Sequence, residues 1–182
     1  MTVPGTFDTS ARELIHAGLQ NLDAARSLFR QLSASGFDAA RCGLLLDALQ
    51  HVCDPDVALR NLVDIVNAQV SQGRALDDIM PDDTAFRQLV AVLGVSDAMG
   101  KLMRFRPDLV QAAATDHCNS HLYNHDQRRA HVLESVGADP NDRMSPTATM
   151  DLADAATALR RTYRNQLAAI IAQDTMSDDP IA

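Results

Sequence analysis

The chain has 182 residues, enough for one substantial core and too few for two large domains. Its 46% apolar and 22% charged residues describe a packed protein rather than a disordered one, and 4% aromatics with no Trp favour helices packed through Leu, Ala, Val and Met over a sheet. The formal charge of -8, from 16 basic and 24 acidic residues, argues against the clustered cations that nucleic-acid phosphates require, and no apolar run reaches the roughly 20 residues of a membrane span.

Three cysteines, Cys42, Cys53 and Cys118, form neither an even set nor a CxxC pair, and no signal-peptide pattern precedes them. A reducing cytoplasm is the expected compartment.

Residues 1–9 carry Pro4 and Gly5 and are expected to be flexible. From Ser10 to Leu32 the residues Leu14, Ile15, Leu19, Leu22, Leu28, Phe29 and Leu32 keep mostly to one helical face, with Gly18 as a break between two short helices or within one. Ser35 and Gly36 end that unit. Asp38 is positioned to cap a helix running to about Val52. Asp54-Pro55 reads as the start of the next, because Asp accepts from free amides and Pro tolerates the first helical position. Its buried stripe is predicted to be Leu59, Leu62, Val63, Val66 and Val70, with Gly73 as the stop.

Leu76 to Thr84 reads as a linker with turn signals at Pro81 and a cap candidate at Asp83. The stretch from Phe86 to Pro107 then reads as two helices meeting at a tight joint. Leu89, Val90, Val92 and Leu93 supply an apolar face, Gly94 a C-terminal cap, Ser96 the next N-cap, and Pro107 the stop. A short helix after Pro107, an uncertain turn near Asn119 and a helix ending before Gly137 follow. Asp139 to Pro146 is a breaker-rich loop. From about Ala148 the pattern Met150, Leu152, Ala155, Leu159, Tyr163, Leu167, Ile170 and Ile171 predicts one long final helix.

No segment shows the period-2 alternation of strands, so the expected fold is all-α: a bundle or array of about seven to nine helices with a long C-terminal one. Residues 10–176 form the predicted helical domain and 177–182 a frayed acidic tail.

Four groups of residues could carry chemistry. His117, His121 and His125, with Cys118, have helical spacing for a zinc or nickel site, although Asn119, Ser120, Asn124 and Asp126 favour a solvated turn there. Asp54 and Asp56 flank Pro55 in an Asp-x-Asp pattern such as holds magnesium in nucleotidyl transfer, but a helix start explains them better. Asp77, Asp78, Asp82 and Asp83 lack the ligand order of a calcium loop. Arg160, Arg161 and Arg164 form a basic cluster that suits contact with a partner or neighbouring domain, the alternative being helix-surface pairs with Asp151 or Asp154. No phosphate loop, nucleophile elbow or HExxH motif is present.

In order along the chain, GFDAARCGLLLDAL from Gly36, DPDVALRNLVDIV from Asp54, LVAVLGVSDAMGKLMRFRP from Leu89, LESVGADP from Leu133 and ALRRTYRNQLAAIIAQD from Ala158 resemble the N-terminal region of the bifunctional glutamine synthetase adenylyltransferase/adenylyl-removing family, in its actinobacterial form. Leu93, Gly94, Ser96 and Pro107 are the local markers. The chain departs at Arg106, where His is common in the family, and at Ala168, Ala169 and Gln173.

The resemblance implies a fragment of a larger enzyme with two nucleotidyltransferase domains, one removing AMP and one attaching it from ATP, each holding magnesium through a Gly-Ser turn and an Asp-x-Asp pair. The first such motif is expected after residues 177–182, so no residue here inherits a catalytic, cofactor or metal role. Magnesium and ATP belong to the full-length protein, and glutamine synthetase and a nitrogen-regulatory signalling protein are the implied partners. A second copy is a further expected occupant of apolar surface left open without the catalytic domain. The rival expectation is a free-standing helical interaction module without activity.

Overall fold

The structure, a computed structural model, describes residues 9–79, 82–114 and 125–176. Among these residues the regular secondary structure is all helix: α1 (Ala11–His16), α2 (Leu22–Ala34), α3 (Ala39–Leu49), α4 (Pro55–Ser71), α5 (Leu76–Ile79), α6 (Asp83–Val95), α7 (Asp97–Met103), α8 (Pro107–Ala114), α9 (His125–Glu134) and α10 (Leu152–Met176). The all-α expectation holds, including the long last helix, and the linker at Leu76 holds the one-turn α5. No helix of the described residues is long and apolar enough to cross a membrane. The turn near Asn119 and both termini lie outside the described residues.

Local capping chemistry sets most boundaries. Ser10 and Glu13 close a reciprocal capping box on α1, and Asn21, Asp38 and Asp54 each accept the third backbone N–H of the helix they open. Gly18, Gly36, Gly73 and Gly137 adopt positive φ at the ends of α1, α2, α4 and α9, a region that lacks steric penalty only for glycine.

Two cap assignments from the sequence are corrected. Asp82, not Asp83, accepts from Ala85 N, and Asp83 is the first helical residue of α6. Gly94 is not a C-cap: it lies inside α6 with an ordinary helical backbone, and Ser96 ends α6 and caps α7 at once. The reason for glycine at 94 is tertiary. A Cβ there would lie 2.8 Å from Val52 Cβ, closer than two carbon atoms can approach. Pro107 marks a boundary, but α7 already ends at Met103 and Pro107 opens α8.

Helix α6 lies at the centre, packed against α3, α4, α7, α8 and α10. Its sequence explains this, since Phe86, Leu89, Val90, Val92 and Leu93 are buried on several faces, as a fully enclosed helix demands. Phe86 meets Phe37 in a tilted ring contact with centroids 6.2 Å apart. Leu14, Phe29, Leu32, Leu45, Leu49, Leu59, Leu62 and Ile65 complete the main core.

A smaller cluster of Val136, Ala138 and Ala155, backed by Leu133 and Ala158, joins the end of α9 to the start of α10. Helix α10 thus buries different faces along its length. Its first half rests on that cluster through Ala155, and its second half meets the main core through Ala168 and Ala172, with Leu167 and Ile171 partly covered. Of the apolar residues whose pattern predicted this helix, Met150, Leu152, Leu159 and Tyr163 are exposed. Val70, placed in the predicted buried stripe of α4, is exposed, and so is Ile15 of α1.

Candidate functional site

The Asp-x-Asp pattern resolves into two backbone anchors. Asp54 Oδ1 accepts from Val57 N at 3.0 Å as the α4 cap. Asp56 turns to the preceding hairpin, where Oδ2 accepts from Gln20 N at 2.9 Å and Oδ1 from Asn21 N at 3.3 Å. One carboxylate thus satisfies two amides in the turn between α1 and α2 and sits in the first turn of α4, where the helix dipole favours negative charge. Both acids are committed to backbone N–H groups, and this donor set does not fit a magnesium pair.

The acidic linker is dispersed in the same way. Asp77 pairs with Arg41, and Asp82 caps α6. A shallow cleft of about 150 Å³ between Phe37, Arg41, Leu44 and Phe86 opens beside them. Arg87 pairs with Asp47, fastening α6 to α3. Of the histidine cluster, His117 and His121 lie outside the described residues with Cys118, and His125 is exposed at the start of α9. Among the described residues no group of His, Cys, Asp or Glu is placed to hold a metal.

An open polar cleft of about 570 Å³ lies between α9 and the following loop, lined by Asp126, Gln127, Arg129, Pro140, Asn141 and Arg143. Its inner cation is already engaged: Arg129 donates to the Pro140 carbonyl at 2.9 Å and to the Asp142 carbonyl at 2.8 Å. The Asp142 carboxylate is held below the usual range by the Ser145 and Met144 amides that donate to it. The loop is a self-bonded structure, not a ligand cradle.

Arg160 and Arg161 are exposed on α10 and Arg164 is half-buried. Among the described residues none of them forms an ion pair, so the expected pairing with Asp151 or Asp154 is absent. Asp151 instead caps α10, accepting from Ala153 N and Asp154 N. The charge of Arg161 adds slightly to the dominant effect of Arg106 in lowering the Asp108 pKa. Arg106 grips Asp108 with Nε at 2.9 Å and Nη2 at 2.6 Å in a bidentate fork.

Sequence reasoning missed the Asp56 clamp and the two close helix crossings at Gly94 and Gly100. The only local signal for the clamp was an acid placed in a first helical turn, and that does not say which amides it meets.

These features define a class: an all-α domain whose polar side chains serve mainly to fasten short helices to one another. Across 174 residues, 96% of the chain, it is 62% identical to the bifunctional glutamine synthetase adenylyltransferase/adenylyl-removing enzyme of Bifidobacterium longum strain DJO10A, of which it covers 16%. It is 60% identical over 175 residues to that of Bifidobacterium longum subsp. infantis, again 96% of this chain and 16% of the relative. Identity to the enzyme of Leifsonia xyli subsp. xyli is 28% over 170 residues, 93% of this chain and 16% of that one. No family model matches the chain. No solved structure matches it either. The chain is thus the counterpart of an N-terminal-type region of the bifunctional glutamine synthetase adenylyltransferase/adenylyl-removing enzymes, and it spans about a sixth of the length of these relatives.

Proposed function

We propose that this chain is a non-catalytic helical segment of an enzyme that adenylylates and deadenylylates glutamine synthetase in the cytoplasm, and that it supports the deadenylylating domain. The observation that carries the reading is the commitment of Asp54 and Asp56, the one Asp-x-Asp pair with a catalytic look, to the backbone amides of Val57, Gln20 and Asn21. The high identity across 96% of the chain supports the enzyme family, and the 16% coverage of the relative is consistent with chemistry carried by other parts of such a polypeptide. Magnesium and ATP are bound by those other parts. Glutamine synthetase and a nitrogen-regulatory signalling protein are the partners of the whole enzyme.

The test is a comparison of this chain with the polypeptide encoded when the gene is read past the Ala182 codon. The extended protein should carry a Gly-Ser and Asp-x-Asp motif, bind magnesium and nucleotide, and release AMP from adenylylated glutamine synthetase, whereas the 182-residue chain should do none of these. AMP release by the short chain, or a stop codon directly after Ala182, would overturn the reading.

A further inference from the structure

Leu152, Leu159 and Tyr163 lie on α10 at 87%, 40% and 64% exposure. At 100° per residue they fall within about 40° of one another around the helix, so they form one straight apolar stripe three turns long. One edge of this stripe is the buried side of the helix, marked by Ala155 and Thr162. The other edge carries Arg160 and, one turn on, Arg164, neither of which has a carboxylate within ion-pair distance among the described residues.

Two cations unmatched among the described residues, beside an open apolar stripe on a chain of net charge -8, select an occupant of complementary pattern: apolar side chains flanked by carboxylates. Size then decides its source. Three side chains and the arginine stems cover a few hundred Å² at most, well below the ~800 Å² per partner of a stable complex between separate molecules. A contact of that size suffices within one polypeptide, where a tether supplies an effective concentration in the mM range.

We propose that this face of α10 docks an acidic, amphipathic segment of the same polypeptide, from the part of the enzyme that the relatives carry beyond the region matched here. The proposal rests on the functional reading above and adds the surface and the chemistry of what covers it. Arg161 is not part of this face, since at 100° per residue it lies on roughly the opposite side of the helix.

Hydrogen exchange tests this without reference to activity. Amides of residues 152–164 should exchange at least about tenfold more slowly in the whole polypeptide than in the 182-residue chain. Leu159→Glu with Tyr163→Glu, and separately Arg160→Glu with Arg164→Glu, should return the whole polypeptide to the faster rate. Neither pair should shift the melting temperature of the 182-residue chain, because the side chains are not in its core. Equal exchange in the two proteins would overturn the proposal even if the whole polypeptide removed AMP as expected. So would a concentration-dependent dimer of the 182-residue chain abolished by Tyr163→Glu, which would make a second copy the occupant.

Discussion

Gly100 of α7 and Asn61 of α4 meet at one helix crossing: a Cβ at position 100 would lie 2.8 Å from Asn61 Cβ, and the Asn61 amide donates to the Leu93 carbonyl of α6 at 3.3 Å. The glycine admits the asparagine, and the asparagine ties α4 to the end of α6. Asn61 is buried, so its amide cannot move into water when the space is filled.

Gly100→Ala should therefore destabilise the protein by about 1–3 kcal/mol, overpacking winning over the ~1 kcal/mol that Ala gains from helix propensity. In an Asn61→Gly background, which removes the Cβ as well as the amide, the same substitution should be neutral or stabilising. Urea unfolding of the four proteins measures the coupling, and additive effects would show that the two residues do not constrain each other.

Asp56 should matter more to stability than an acid in a solvated first turn. Asp56→Ala removes the acceptor for Gln20 N and Asn21 N and should lower stability by about 1–3 kcal/mol. Magnesium chloride at millimolar concentration should leave the wild-type melting temperature unchanged beyond the effect of equal ionic strength. A specific upward shift lost in Asp56→Ala would return this residue to metal chemistry.

The thiols should divide by burial. Cys42 is buried and its pKa is raised, chiefly by desolvation, while Cys53 is exposed. With Cys118 replaced by Ser, Cys53 should react with a thiol reagent at the rate of a free peptide. Cys42 should react only as fast as the protein unfolds globally, so urea should accelerate it in step with the unfolding curve. Labelling of Cys42 at a rate independent of urea would place it in a locally opening region.

The Arg106–Asp108 fork predicts an acid limb of stability. The Asp108 pKa is lowered in the folded protein, first by the Arg106 hydrogen bonds. Its contribution is therefore complete above the unfolded value of about 3.9 and disappears as pH falls through the lower folded value. Asp108→Asn should reduce the melting temperature at pH 6 and flatten its decline between pH 5 and pH 2 relative to wild type, about the range in which carboxylates protonate. Parallel declines in the two proteins would assign the acid limb to other carboxylates.

The joint from Leu93 to Ser96 has a sharper meaning in three dimensions. Ser96 works as the LGVS pattern suggests, accepting from Met99 N at 3.2 Å. Leu93 is buried, and its carbonyl receives Asn61. Gly94 marks a close approach to Val52 instead of a helix end.

What the sequence by itself determined is the set of features governed by neighbours within four residues. The caps at Ser10, Asp38, Asp54 and Ser96, the glycine stops at 18, 36, 73 and 137, and the all-α class follow from hydrogen bonds and backbone sterics that need no distant partner. Helical periodicity could say that α10 is amphipathic but not which of its faces meets a core, because burial depends on what the rest of the chain brings alongside. Only the tertiary structure decided that Leu159 and Tyr163 stay exposed while Ala168 and Ala172 are enclosed. It alone turned Asp56 toward Gln20 and Asn21 and required glycine at 94 and 100, since those contacts join residues tens of positions apart, beyond the reach of any local pattern.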